Sequence, residues 1–232
     1  MGVYLIIGAS SGIGLQLANQ LSAAGHEVYG TYNKSEIQST DSLKYYYLNV
    51  LEEIISPDFL PEIIDGFVYC PGSINLKPFE RIKPQDFLSD FNLQVVGAVK
   101  TIQAVLPRLK KAPNPSIVLY STVAAQKGLN FHSQVSTSKA AIEGLTKALA
   151  AEFAPKIRVN CIAPSLTDTP LAAALLNTDQ KKEANAQRHP LKKIGTVQDI
   201  ANMTEFLLSE KAGWVTGQIF HVDGGMSTLI VG

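Results

Sequence analysis

The sequence predicts one α/β domain, a doubly wound parallel β-sheet with helices on both faces. Three observations carry that expectation. Short apolar runs alternate with longer amphipathic stretches along the chain. The runs are apolar on both faces, as strands buried between two helical layers must be. A glycine-rich turn, Gly8 to Gly14, stands directly between the first run and the first amphipathic stretch. At 232 residues and 46% hydrophobic, the chain has the length and apolar content of one domain with a sizeable core, so residues 1–232 are read as a single unit.

The elements follow in order. Val3–Ile7 is a continuous apolar run ending at glycine and reads as a buried strand. The segment 14–24 has helical spacing through Leu15, Ala18 and Leu21, with Gly25 as its stop. His26–Thr31 and Tyr45–Val50 are β-rich, and Gly66–Cys70 is an apolar run after Asp65. The stretch 87–109 reads as one long apolar-striped helix with Pro107 near its end. Ile117–Tyr120 is a strand, and 133–153 is a helix with a small-residue face of Ala140, Ala141 and Gly144. Arg158–Ile162 is a strand entering Pro164, 197–208 a helix, and Gln218–Val222 the last strand. Such β-α-β alternation implies parallel pairing, with ligands bound beyond the carboxyl ends of the strands.

Composition excludes several function classes. Lys plus Arg and Asp plus Glu number 20 each, so no charged surface points to nucleic acid. Cys70 and Cys161 have neither CxxC nor Cys/His spacing and read as reduced, small apolar residues rather than metal ligands. No apolar run approaches the ~18 residues of a membrane span. The N-terminus passes straight into Val3–Ile7 without a basic leader. A cytoplasmic protein without a membrane partner is expected.

The turn Gly8-Ala9-Ser10-Ser11-Gly12-Ile13-Gly14 is the most informative motif. Glycines permit a tight turn and let backbone N–H groups approach a pyrophosphate, and the dipole of the following helix favours the anion. Its place between a strand and a helix makes it a dinucleotide loop, and the fold a Rossmann type. An acid at the end of the second strand would hold the ribose diol of NAD. The sequence there is Gly30-Thr31-Tyr32-Asn33-Lys34, where Lys34 suits a 2′-phosphate, so NADP(H) is favoured over NAD(H).

From these residues the chain resembles the short-chain dehydrogenases/reductases over nearly its whole length. The glycine loop matches, with Ile7 where the family usually has threonine. Asn49-Val50 resembles the family's Asp-Val that reaches the adenine. Tyr69-Cys70-Pro71-Gly72 occupies the place of Asn-Asn-Ala-Gly, of which only the glycine remains. Asn92-Leu93 resembles the helix asparagine that supports a relay water in the family. Pro164, Leu166, Thr167 and Thr169 fall in a stretch resembling the one that holds the nicotinamide, with Ser165 replacing a glycine. Val222-Asp223-Gly224-Gly225 resembles the C-terminal signature. The resemblance therefore implies Gly8, Ser10, Ser11, Gly12, Ile13, Gly14, Asn33, Lys34, Asn49, Val50, Gly72, Lys139, Pro164, Leu166, Thr167 and Thr169 as cofactor-binding residues.

The catalytic set departs from the family's serine, tyrosine and lysine. Lys139 is present, but the residue four before it is Val135, and the residue thirteen before that is Thr122. In the family the lysine bonds the nicotinamide ribose and lowers the tyrosine pKa. Residues i and i+4 share a helix face, so an ammonium there favours a phenolate. Valine has no proton to give. The implied catalytic residues are Asn92, Thr122 and Lys139, with Val135 at an altered tyrosine position. His132 and Lys139 itself are the candidate substitute acids. His132 also reads as an ordinary loop histidine. Ser136 turns off Val135's face, and serine is a poor acid there as at Ser138. Tyr120 reads as a packing residue, and a substrate-borne acid or an ordered water stays open.

The segment 166–190 lies where the family carries a substrate lid; it also reads as a surface helix. Valine and threonine at the catalytic positions suit an apolar small-molecule substrate. The helices 87–109 and 133–153 resemble those through which the family dimerises, so a homotetramer or a homodimer is expected. The expected function is an oxidoreductase acting on a carbonyl or alcohol with a non-standard proton donor. The alternative is an inactive cofactor-binding or regulatory subunit.

Overall fold

A computed structural model of the chain describes residues 1–230. Seven parallel strands form one sheet in the order β3-β2-β1-β4-β5-β6-β7. They are β1 (Val3–Ile7), β2 (Glu27–Tyr32), β3 (Leu43–Tyr47), β4 (Gly66–Tyr69), β5 (Ser116–Tyr120), β6 (Arg158–Pro164) and β7 (Ile219–Val222). The principal helices are α1 (Gly12–Ala23), α2 (Pro84–Phe91), α3 (Gly97–Leu109), α4 (Ser133–Phe153), α5 (Asp179–Gln187) and α6 (Val197–Leu208). The single α/β domain with helices on both faces of a parallel sheet is the architecture read from the sequence.

Strand alternation divides the core into two halves. Leu5, Ile7, Phe67, Tyr69, Ile117, Leu119, Val159 and Cys161 face one way, against Val95, Ala98, Ile102 and Val105 of the α3 region and Ile142 and Ala150 of α4. Tyr4, Ile6, Val28, Val68, Val118, Tyr120 and Ile162 face the other way, against Leu17, Ala18 and Leu21 of α1 and Ile200, Ala201 and Leu207 of α6. Burial on both faces explains why the strand sequences show unbroken apolar runs.

The third strand and the long helix differ most from the sequence reading. The third strand is Leu43–Tyr47 rather than 45–50. Its register with β2 begins at Val28↔Leu43, and the Tyr45 ring fills the space beside Gly30, where an added Cβ would lie 2.7 Å from it. Asn49 and Val50 consequently lie past the strand end, on the ligand side. The long helix 87–109 begins earlier, at Pro84, and a π-helical segment, Asn92–Val96, separates α2 from α3. That segment leaves the Leu93 carbonyl to accept a bond from the Tyr69 hydroxyl at 2.6 Å. An added Cβ on Gly97 would lie 2.3 Å from that hydroxyl, so glycine makes room for the tyrosine. Tyr69 thus ties β4 to the helix. Helix α1 ends where Gly25 takes φ +84°, a conformation that favours glycine.

Candidate active site

The strand order reverses between β1 and β4, and a crevice opens beyond their carboxyl ends, as expected of open α/β sheets. It leads into a cavity of about 890 Å³. The glycine loop forms one wall. Gly8 and Gly12 take φ +78° and +54°, and a Cβ on Gly14 would lie only 2.3 Å from Gly8 O. The helix start therefore packs directly on the end of β1. Ser11 leaves the first-turn amides of α1 without a side-chain cap among the described residues, and that turn carries no acid. This is a fitting cradle for the pyrophosphate of a dinucleotide.

The cavity brings together every cofactor residue implied by the sequence: Gly8, Ser10, Ser11, Gly12, Ile13, Gly14, Asn33, Lys34, Asn49, Val50, Gly72, Lys139, Pro164, Leu166, Thr167 and Thr169 all line it. Asn33 and Lys34 are exposed at the end of β2. Asn49 Oδ1 accepts from Leu51 N at 3.1 Å, which fixes its side chain beside Val50.

Thr122, Val135 and Lys139 meet at the inner end. Thr122 follows β5, and its Oγ1 accepts from Ala124 N at 3.3 Å. Val135 is 6% exposed, on the first turn of α4 facing the cavity. Lys139 stands one turn further along, and its Nζ donates to Tyr120 O at 2.8 Å. The residue as a whole keeps some exposure to the cavity, whereas the ammonium is surrounded by protein. That burial pulls its pKa down from 10.5 to about 8, with Cys161, Asp90 and Cys70 opposing the shift. Desolvation penalises the charged form of a base. The same burial pushes the thiols of Cys70 and Cys161 up to about 12; both cysteines are free and stay as neutral thiols.

The neighbouring hydroxyls are engaged elsewhere. Ser121 Oγ donates to Glu143 Oε1 at 2.7 Å, and Ser136 Oγ to the Ala124 carbonyl at 2.8 Å. Tyr120 OH pairs with Thr204 Oγ1 at 2.7 Å on the far side of the sheet. His132 lines the cavity, with Nδ1 2.6 Å from Asn130 O.

Asn92 requires correction: it is exposed and does not line the cavity. The buried stripe of this helix runs through Asp90, Gln94, Ala98 and Thr101, and two residues at ~100° each turn Asn92 away from it. Gln94, 1% exposed, reaches the cavity in its stead. Its Nε2 donates to both oxygens of Asp90 at 2.8 Å. Asp90, 4% exposed, also accepts from Ser138 Oγ at 2.6 Å and from Ser73 Oγ. The signal was present in the sequence: Asp90 and Gln94, four apart, fall on the helix face that Ala98 and Thr101 continue, and buried polar groups are the informative exceptions.

The remaining wall comes from the segment after β6. Leu171, Ala172, Leu175, Asn185, Arg188 and His189 line the cavity. Buried His189 anchors the segment: its Nε2 lies 2.8 Å from Ser165 Oγ, and its Nδ1 lies 2.9 Å from Asn185 O. Ser165 and His189 were not singled out as site residues from the sequence, since their pairing exists only once the segment folds back.

Comparison with known proteins follows the same outline. Residues 55–227 match the family described as enoyl-(acyl carrier protein) reductase. The chain is 30% identical over 244 residues to a 3-oxoacyl-(acyl-carrier-protein) reductase of Thermotoga maritima, covering 97% of each. It is 31% identical over 241 residues to the enzyme of that name from Aquifex aeolicus, covering 97% of this chain and 96% of the other. A structure of ElxO with NADP bound superposes with a TM-score of 0.89 at 25% identity, covering 99% of this chain and all of the other. Strand order, glycine loop and whole-length identity converge on one lineage, and the chain belongs to the short-chain dehydrogenase/reductase family.

Proposed function

We propose that the protein is an NADP(H)-dependent reductase of carbonyl-bearing acyl substrates, with Lys139 rather than a phenol delivering the proton. The observation that carries this reading is the Lys139 ammonium, held in the same cavity as the glycine loop and Thr122 with its pKa brought down to about 8. An acid of that strength is protonated at neutral pH and gives up its proton readily. A dihydronicotinamide held here beside the glycine loop and Lys139 would supply hydride to an electrophilic carbon of the substrate. Thr122 Oγ1 hydrogen-bonds the substrate oxygen, Lys139 neutralises the charge developing there, and Val135 offers an apolar wall to the carbon chain. Acyl thioesters are the proposed class because the names of the matched family and relatives point to them.

The preference for NADP(H) rests on Lys34 at the end of β2. Lys34→Glu is expected to weaken NADPH binding about tenfold or more, the scale of one charge-assisted bond, and to leave NADH no weaker. A fluorescence titration of both nucleotides checks this. The segment 166–190 is proposed as a lid on the substrate side. A homodimer or homotetramer is proposed through α4, where a Cβ on Gly144 would meet nothing within 4 Å, so a second helix has room to approach. A cytoplasmic setting suits the two free thiols.

A second reading, cofactor binding without catalysis, is favoured by Val135, which leaves the cavity without the phenol that resembling enzymes use. NADPH oxidation with acetoacetyl-CoA and with crotonyl-CoA separates the two. Turnover by the wild-type protein with either thioester supports the reductase. Absence of turnover with both, together with its appearance in Val135→Tyr, would replace the first reading with the second.

A further inference from the structure

Ser165 and His189 form a hydroxyl–imidazole pair on the cavity wall that the reductase reading does not use. Both line the cavity, as does Asn185. Ser165 stands just past β6, where resembling enzymes carry a glycine, so its hydroxyl is a departure of this chain. Ser165 Oγ lies 2.8 Å from His189 Nε2, and His189 Nδ1 lies 2.9 Å from the Asn185 carbonyl oxygen. A carbonyl only accepts, so Nδ1 carries the hydrogen, and in the neutral ring Nε2 keeps its lone pair. The Ser165 hydroxyl therefore donates to Nε2. A serine within reach of a base, with the base oriented by a third group, is the arrangement that activates a nucleophile.

The surrounding backbone fixes both partners. Ser165 N donates to Val222 O at 3.4 Å, and the Ser165 carbonyl accepts from Thr167 Oγ1 at 3.0 Å. His189 is 4% exposed, and its N–H donates to Ala186 O at 3.0 Å. Gly224 packs against the ring: a Cβ there would lie 3.6 Å from His189 Cβ and 3.7 Å from His189 Cδ2. Ser165 itself is only part-buried. The amides of Leu166 and Thr167 make no hydrogen bond within the chain among the described residues, so two uncommitted donors directly follow the hydroxyl. The amide next after a nucleophile is a recurrent source of oxyanion stabilisation.

We propose that Ser165 and His189 are a nucleophile and its general base, which hydrolyse acyl esters and thioesters in this cavity. The thioester class rests on the reductase reading above; the pair itself does not. Ser165 Oγ attacks the acyl carbon, a C–O bond forming as the hydroxyl proton passes to His189 Nε2. The carbonyl electron pair moves onto oxygen and then returns, breaking the C–S bond. The leaving thiolate takes the proton from His189, and the acyl group is left as an ester of Ser165. A water attacks that ester and gives its proton to His189. The carboxylic acid departs as Ser165 recovers the proton. The sum is thioester plus water to carboxylic acid plus thiol, with no change of oxidation state.

Wild-type protein treated with a fluorophosphonate is expected to carry the adduct on Ser165, read by peptide mass spectrometry. Hydrolysis of p-nitrophenyl butyrate and of acetoacetyl-CoA, followed as nitrophenolate and thiol release, is expected to fall about 100-fold or more in Ser165→Ala and in His189→Gln. Alanine removes one oxygen, and glutamine keeps an amide that can bond Ser165 but cannot take its proton. Labelling should slow in His189→Gln by a similar factor. An unlabelled Ser165 in the wild-type protein would overturn the proposal. So would wild-type hydrolysis no faster than that of Ser165→Ala, or labelling of His189→Gln at the wild-type rate; the pair would then be a tie that holds the segment 166–190 and nothing more. None of these assays contains nucleotide, so their failure is distinct from failure of the reductase reading, which NADPH oxidation tests.

Discussion

Lys139→Met is expected to slow reduction of an acyl thioester by about 10²–10⁴-fold, the range of general-acid catalysis, with a much smaller loss of NADPH affinity. Methionine keeps the length of the side chain and removes its proton. Steady-state kinetics beside a fluorescence titration read the two effects separately. The wild-type pH profile carries the same signature. Lys139 must be protonated to act, so the rate should stay level below about pH 8 and fall roughly tenfold per unit above it, where an unburied lysine would hold to about 10.5. Cys70, Cys161, Asp90 and Tyr120 surround this ammonium, and both thiols stay neutral through that range. Stability shows the opposite slope. The folded pKa lies below the unfolded one, so the unfolded chain holds the extra proton between about 8 and 10.5, and this group favours folding increasingly as pH rises through that window. Below about 8 the cost of burying the charge is carried in full. The Tm of the wild-type protein should therefore gain on that of Lys139→Met as pH rises from 8 to 10.5. A level rate profile to pH 10 would contradict the role given to Lys139.

Gly14→Ala is expected to weaken dinucleotide binding by about 100-fold or more, because amides displaced by a few tenths of an ångström no longer converge on a pyrophosphate. The added Cβ would stand 2.3 Å from Gly8 O, a backbone atom that can move only by shifting the loop. Overpacking of this kind costs about 1–3 kcal/mol, so Tm should fall as well. Calorimetric titration beside thermal unfolding checks both. Gly25→Ala serves as the comparison: nothing lies within 4 Å of its Cβ, and only the positive φ of +84° is strained. It should lower Tm and leave nucleotide affinity in place.

The sequence showed the fold clearly because each layer writes its own period. Strands buried on both faces appear as unbroken apolar runs, and α4 and α6 have the boundaries their spacing predicts. The glycine loop was legible because only glycine permits its close approach to β1. Local features that depend on pairing were less visible. The start of β3 is set by its register with β2 and by Tyr45 filling the space at Gly30, neither of which is local. Within the π-helical segment Leu93 O pairs with the Tyr69 hydroxyl from β4, a contact between residues distant in sequence. Asn92 drew attention by resemblance, but the helix stripe carries Gln94 and Asp90 inward and Asn92 outward. The Ser165–His189 pair forms across 24 residues, a closure that no spacing rule announces. Thr122, Val135 and Lys139 were found because their spacing resembles that of the family's catalytic set, in which residues four apart share a helix face.

On the proposed reading the chain holds a dinucleotide between the glycine loop and Lys139, with Val135 where resembling enzymes carry a phenol. Fluorescence titration of the wild-type protein with NADPH and NADH tests it most directly. Saturable micromolar binding of NADPH is expected, with NADH weaker by about tenfold or more. Absence of binding by either nucleotide would contradict it and leave a family fold without the family's chemistry.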